Sequence, residues 1–133
     1  MQAKPRPLYG YKELMHAVRS GEVVTAIVRL QECKRADGSA GPALVSSVHI
    51  NVFEQFSAGM IGPQAYLVAS HRTLVSSPQK TERRYLRVRL RDNESAEAEL
   101  LYADPVAQTN TSSEKFACSI DTGTGGSVTL IAR

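Results

Sequence analysis

The chain has no tryptophan, only three phenylalanines and five tyrosines, and two cysteines among 133 residues. Each scarcity narrows what it can be. Single-stranded nucleic-acid recognition leans on aromatic side chains interleaved with cations, and with the rings dispersed no nucleic-acid partner is expected. No apolar run approaches the roughly 20 residues that span a bilayer, so integral membrane association is not expected. Residues 1–7 are polar and carry Pro5 and Pro7, without the apolar stretch of a secretory signal. The chain therefore reads either as a cytosolic protein or as the mature part of an exported one. His16, His49 and His71 are far apart, with no HxxxH or HxH spacing, and neither cysteine belongs to a CxxC. No metal ion and no cofactor is expected. No serine lies in GxSxG, and Gly123, Gly125 and Gly126 precede neither GK[ST] nor a helix, so acyl-transfer and phosphate-loop chemistry lack support.

What is present begins with Cys33 and Cys118. Bridged, they would close a loop of roughly 85 residues and stabilise the fold by about 4 kcal/mol on a loop-entropy estimate. That reading places the protein in a periplasm or outside the cell; two unrelated buried thiols are the alternative. Sixteen basic residues against thirteen acidic leave a formal charge of +3 and a pI near 9.0, a small surplus rather than a basic tail.

The length suits one domain with its own core, read as a flexible lead-in over residues 1–9 and a single domain over 10–133. Tyr11, Leu14, Met15 and Val18 recur at helical spacing, with Lys12, Glu13, His16 and Arg19 on the other side and Gly21 as the stop. Residues 22–32 are rich in β-branched side chains and predict a strand ending at Cys33, followed by a loop over residues 34–42. Ser46, Val48, Ile50 and Val52 alternate with Ser47, His49, Asn51 and Phe53. Residues 54–63 read as a loop from which Phe56, Met60 and Ile61 pack back onto the core. A strand over residues 65–70 comes next, extendable to Val75.

Arg84, Leu86, Val88 and Leu90 then alternate with Tyr85, Arg87, Arg89 and Arg91. The return strand over residues 97–102 follows a loop from Asp92 to Ala96, a register that sets Arg91 across from Glu97 and Arg89 across from Glu99. Residues 103–114 read as a long connection, and strands over residues 115–120 and 127–132 finish the chain. About seven strands at hairpin spacing predict a mainly β (α+β) domain, an antiparallel barrel or strongly curved sheet with one short N-terminal helix.

The stripe Arg83, Arg84, Arg87, Arg89 and Arg91 is the strongest local charge feature. It could receive a phosphate, a polyanionic lipid or an acidic protein surface, or it is a solvated face neutralised by Glu97 and Glu99. Asp121-Thr122-Gly123 matches the aspartic-protease triplet. Such a site needs two carboxylates sharing a proton, and a glycine-rich turn is the simpler account.

The opening Tyr11-Lys-Glu-Leu-Met-His-Ala-Val-Arg-Ser-Gly21, then a valine-rich strand reaching Cys33, resembles the bacterial VirK family, whose helix follows (F/Y)xxLxxAxxxG. The resemblance continues at Arg84-Tyr-Leu-Arg-Val-Arg-Leu-Arg91, at Leu101 to Pro105 and at Phe116-Ala-Cys118, spanning roughly residues 9 to 120. Gly41-Pro42 stands where the family usually has Gly-Gly, and the export signal is absent. The resemblance implies an exported, virulence-associated protein of Gram-negative bacteria, with no established catalytic residues. The expectation is a secreted or periplasmic, monomeric, non-enzymatic accessory protein that binds a protein partner through Arg87, Arg89 and Arg91. The alternative is a small β-barrel holding an apolar or lipid-like ligand between its sheet and the Tyr11/Leu14/Met15/Val18 stripe.

Overall fold

The apolar stripe near the N-terminus folds as predicted, in α1 (Gly10–Arg19), with Tyr11, Leu14, Met15, Ala17 and Val18 buried. The structure is a computed structural model that describes residues 4–50, 53–60, 62–76, 81–103 and 110–133. At the C-terminus of α1, Glu22 N donates to Ala17 O (3.1 Å) and Gly21 N to Val18 O (3.2 Å), the paired bonds of a Schellman ending. Gly21 takes the left-handed conformation (φ 81°) that this ending requires.

The N-terminus is capped from far away in sequence. Tyr9 supplies no side-chain cap, and the carboxylate of Glu94 accepts from Tyr11 N–H instead, at 3.0 and 3.3 Å. A negative group there satisfies an orphan donor and meets the positive end of the helix dipole. Gly10 makes room for it: φ is +90°, and a Cβ at this position would stand 2.9 Å from a Glu94 carboxylate oxygen.

Nine strands form two antiparallel sheets among the described residues. They are β1 (Arg6–Leu8), β2 (Val24–Arg29), β3 (Val45–Ile50), β4 (Phe53–Phe56), β5 (Tyr66–Ser76), β6 (Thr81–Arg91), β7 (Ser95–Ala103), β8 (Asn110–Ser119) and β9 (Val128–Ala132). Sheet A has the order β1-β9-β2-β3 and sheet B the meander β4-β5-β6-β7-β8. One apolar core joins Leu8, Val24, Val28, Val48 and Leu130 of sheet A, Leu14 and Val18 of α1, and Leu67, Val88, Leu90 and Phe116 of sheet B.

The expected barrel does not form, because the chain changes sheets. β3 ends at Ile50 with Val48 and Ile50 buried in sheet A, and Phe53 starts β4 beside Ala69 of sheet B. The two strands beyond the expected seven are β1 and β4. The proline-containing start, read as a flexible lead-in, pairs with β9 and buries Leu8; Pro7 is accommodated because β1 is an edge strand. β4 lies in the stretch read as a loop. Neither described residue returns to the core: Phe56 is half-buried on the outer face of sheet B, beside Tyr66, and Met60 is 68% exposed. Asn51, Val52 and Ile61 lie outside the described residues, as do 104–109 of the long connection; β7 and β8 occupy the rest of it. Near the N-terminus, β2 stops at Arg29 and a 3-10 turn, Leu30–Glu32, carries the chain to Cys33.

Cys33 and Cys118 are bonded, with Cα atoms 4.6 Å apart and a separation of 85 positions in sequence. Beside the bond, Lys34 and Ala117 exchange both backbone hydrogen bonds, at 2.9 and 2.7 Å. Replacing both cysteines by alanine is expected to lower urea stability by about 4 kcal/mol; a loss below about 1 kcal/mol would mean that the Lys34–Ala117 pair holds the edge unaided. Glu94→Ala is expected to cost about 1–2 kcal/mol in the same measurement, and Glu94→Gln, which keeps an acceptor and loses the charge, about half as much. Equal stability of wild type and Glu94→Ala would show that the cap is dispensable.

Candidate functional site

Period-2 alternation in β6 places Leu86, Val88 and Leu90 in the core and Arg83, Tyr85, Arg87, Arg89 and Arg91 on the outer face of sheet B. Arg84 falls on the opposite face, where its guanidinium lies 5.9 Å from the Tyr102 ring. The β6–β7 register differs by two residues from the expected one: Arg89 faces Glu97 and Arg87 faces Glu99. The loop is shorter than expected because Glu94 adopts φ +70° and its N–H bonds Arg91 O at 3.1 Å, closing a tight turn with a left-handed last residue. A shift of two leaves every side chain on its predicted face.

Each carboxylate is shared between two cations. Glu97 lies 3.6 Å from Arg89 and 3.3 Å from Arg91, and Glu99 lies 3.2 Å from Arg87 and 3.8 Å from Lys115. Exposed pairs of this kind contribute about 0–1 kcal/mol each, too little to commit the guanidinium groups to the fold. By strand register the outer face carries Arg72, Arg83, Arg87, Arg89, Arg91 and Lys115 against Glu54, Glu97 and Glu99 among the described residues. The surplus on this one face equals the formal net charge of the whole chain, +3.

Arg87 and Arg89 border a cleft of about 400 Å³ that Phe56, Tyr66, Val68 and Glu54 also line. The Phe56 and Tyr66 rings pack 5.0 Å apart at 32°, and the Arg89 guanidinium lies 5.8 Å from the Tyr66 ring. A sequence reading could not assemble this cleft, because Phe53 read as the end of the preceding strand and Glu54-Gln-Phe56 as the start of a loop.

The other candidates are dispersed. Oδ1 of Asp121 accepts from Gly123 N (2.8 Å) and Gly125 N (3.1 Å), so this carboxylate holds its own turn together. His16, His49 and His71 are exposed on three different elements, and His49 Nδ1 lies 3.0 Å from Thr25 Oγ1. Among the described residues no three His, Cys, Asp or Glu side chains are grouped to hold a metal. Asp37 in the loop before β3 has its carboxyl held below the usual range by hydrogen bonds from the Ser39 hydroxyl and backbone N–H, which is again a turn contact. Between α1 and sheet B the space expected for an apolar ligand holds Leu14, Leu67 and Leu90, all fully buried. An open cleft of about 600 Å³ runs along the flank of α1 instead, beside Tyr11, Met15, His16, Arg19 and Gln55. Among the described residues no helix is long and apolar enough to cross a membrane.

No curated protein matches the chain. Among solved structures, a VirK family protein from Legionella pneumophila has the same fold, with a TM-score of 0.73 at 16% identity over 93% of this chain and 97% of that one. The family described as "VirK protein" matches residues 7–108, a stretch that takes in α1, Cys33 and the arginine strand and stops short of Cys118. That match covers most of the sequence, and the chain belongs to the VirK family.

Proposed function

We propose that this VirK-family chain is an exported, non-enzymatic, virulence-associated accessory protein that binds a macromolecular partner through the outer face of sheet B. The observation that carries the reading is the concentration of cationic surplus on that face, beside an aromatic cleft. Fields of one sign over a surface steer and orient an oppositely charged partner. The weak pairs with Glu97 and Glu99 keep the arginines in place without neutralising them, since two carboxylates serve four cations. Export is supported by the Cys33–Cys118 bond, which persists in oxidising compartments. No catalytic role is assigned to Asp121, whose carboxylate serves its turn.

Two measurements test the reading. Arg87, Arg89 and Arg91 changed together to Gln should abolish partner capture from the native compartment while leaving the circular dichroism spectrum unchanged. Neutral replacements are chosen because glutamate there would stand against Glu97 and Glu99; capture that survives removes this face from the reading. Alkylation of protein isolated from its native compartment, under non-reducing denaturing conditions, should label neither cysteine. Label on both would place the chain in a reducing compartment and sink the exported reading.

A further inference from the structure

We propose that the cleft between β4 and β6 receives an acidic segment of a protein partner, with one carboxylate between Arg87 and Arg89 and a neighbouring aromatic or aliphatic side chain against Phe56, Tyr66 and Val68. This rests on the outer face of sheet B being the partner surface and specifies what the partner presents there.

The cationic half follows from strand geometry. Arg87 and Arg89 are two positions apart on one face, about 7 Å along the strand, a spacing at which two guanidinium groups can converge on one carboxylate. Each carries five N–H donors, and few are used. Arg87 donates to Glu99 at 3.2 Å. Arg89 lies 3.6 Å from Glu97, beyond hydrogen-bond length, which leaves its terminal N–H groups, rather than its buried Nε, for a ligand. Donors remain to be given to a ligand.

The apolar half follows from packing. The tilted Phe56–Tyr66 pair and half-buried Val68 form a wall directly beside the arginines. The volume, about 400 Å³, accommodates a few side chains rather than a folded element. Glu54 decides between anions. Glu54 is part of the lining of the same cleft, so a ligand with dense charge, such as a phosphate polymer or an anionic head group, meets its negative charge as it enters. A peptide carrying single carboxylates spaced by apolar side chains places its neutral parts against Glu54.

The test is a titration of the ¹⁵N-labelled full chain with the capped peptide acetyl-Ser-Glu-Phe-Glu-Ser-amide, with the matching Ser-Lys-Phe-Lys-Ser peptide and 3-phenylpropionate as comparisons. Saturable shifts are expected at residues 66–70 and 87–89. Ser70→Glu sets a carboxylate opposite Arg87 and should weaken the acidic peptide by at least about tenfold, the loss of one charge-assisted contact. Lys12→Glu, an equal or larger change of charge on α1 away from the cleft, should leave the affinity unaltered. Equal binding of the lysine peptide, unchanged affinity in Ser70→Glu, or shifts confined to residues 15–20 would each overturn the proposal. Phenylpropionate binding as tightly as the peptide would overturn the protein-segment assignment in favour of a free amphipathic acid. If the peptide fails to bind while partner capture still falls in the Arg87/Arg89/Arg91→Gln variant, the cleft assignment fails and the face remains; if capture is also unchanged, the surface reading itself fails.

Discussion

Glu94 joins three parts of the molecule that no local rule would bring together. Its oxygens cap α1 through Tyr11 N–H, its backbone closes the β6–β7 turn in the left-handed region, and its carbonyl accepts from Ile120 N–H at 3.0 Å. A non-glycine residue at positive φ is disfavoured on its own. Here the hydrogen bonds at both ends of the residue offset that cost. The register of the hairpin follows from this turn, and from the register follows which glutamate stands across from which arginine. Helix position and surface electrostatics therefore depend on the same residue.

The second long-range constraint is the Cys33–Cys118 bond with its neighbouring Lys34–Ala117 pair. Together they attach the segment that follows β2 of sheet A to the edge of sheet B, near Phe116, which is 1% exposed. Arg35 continues the attachment: it donates to Glu114 and Ala40 O, and its guanidinium lies 5.6 Å from the Phe116 ring. An edge strand that exposes unpaired backbone invites association with other chains, and this segment covers part of β8. The opposite edge of sheet B is β4, the strand that contributes Glu54 and Phe56 to the cleft.

The arginine face shows why weak interactions can be functionally informative. Four ion pairs at 3.2–3.8 Å contribute little to stability at a solvated surface. They nevertheless align the side chains, and the tyrosine rings beside Arg72 and Arg89 add cation–π contacts at 5.5 and 5.8 Å. Such contacts orient a guanidinium without exhausting its donors. The outcome is a cationic surface held in register by the sheet beneath it.

Periodicity in the sequence determined the helix, the faces of β6 and the inward set Leu86, Val88 and Leu90, because an apolar stripe of period 3.6 or 2 can be buried in only one way. The glycine-rich turn at Asp121 was equally legible, since it depends on residues near in sequence. Tertiary structure alone decided the rest. The switch from β3 to β4 split one expected barrel into two sheets, and a non-alternating Phe53–Phe56 became a strand because β5 offered it an edge. Pro7 entered a sheet because it met β9 at an edge. The cap of α1 came from Glu94, which lies 83 residues away from Tyr11 in sequence. A charge stripe is written in β6, but the aromatic wall that makes it a cleft comes from β4 and β5, and no local pattern encodes that meeting.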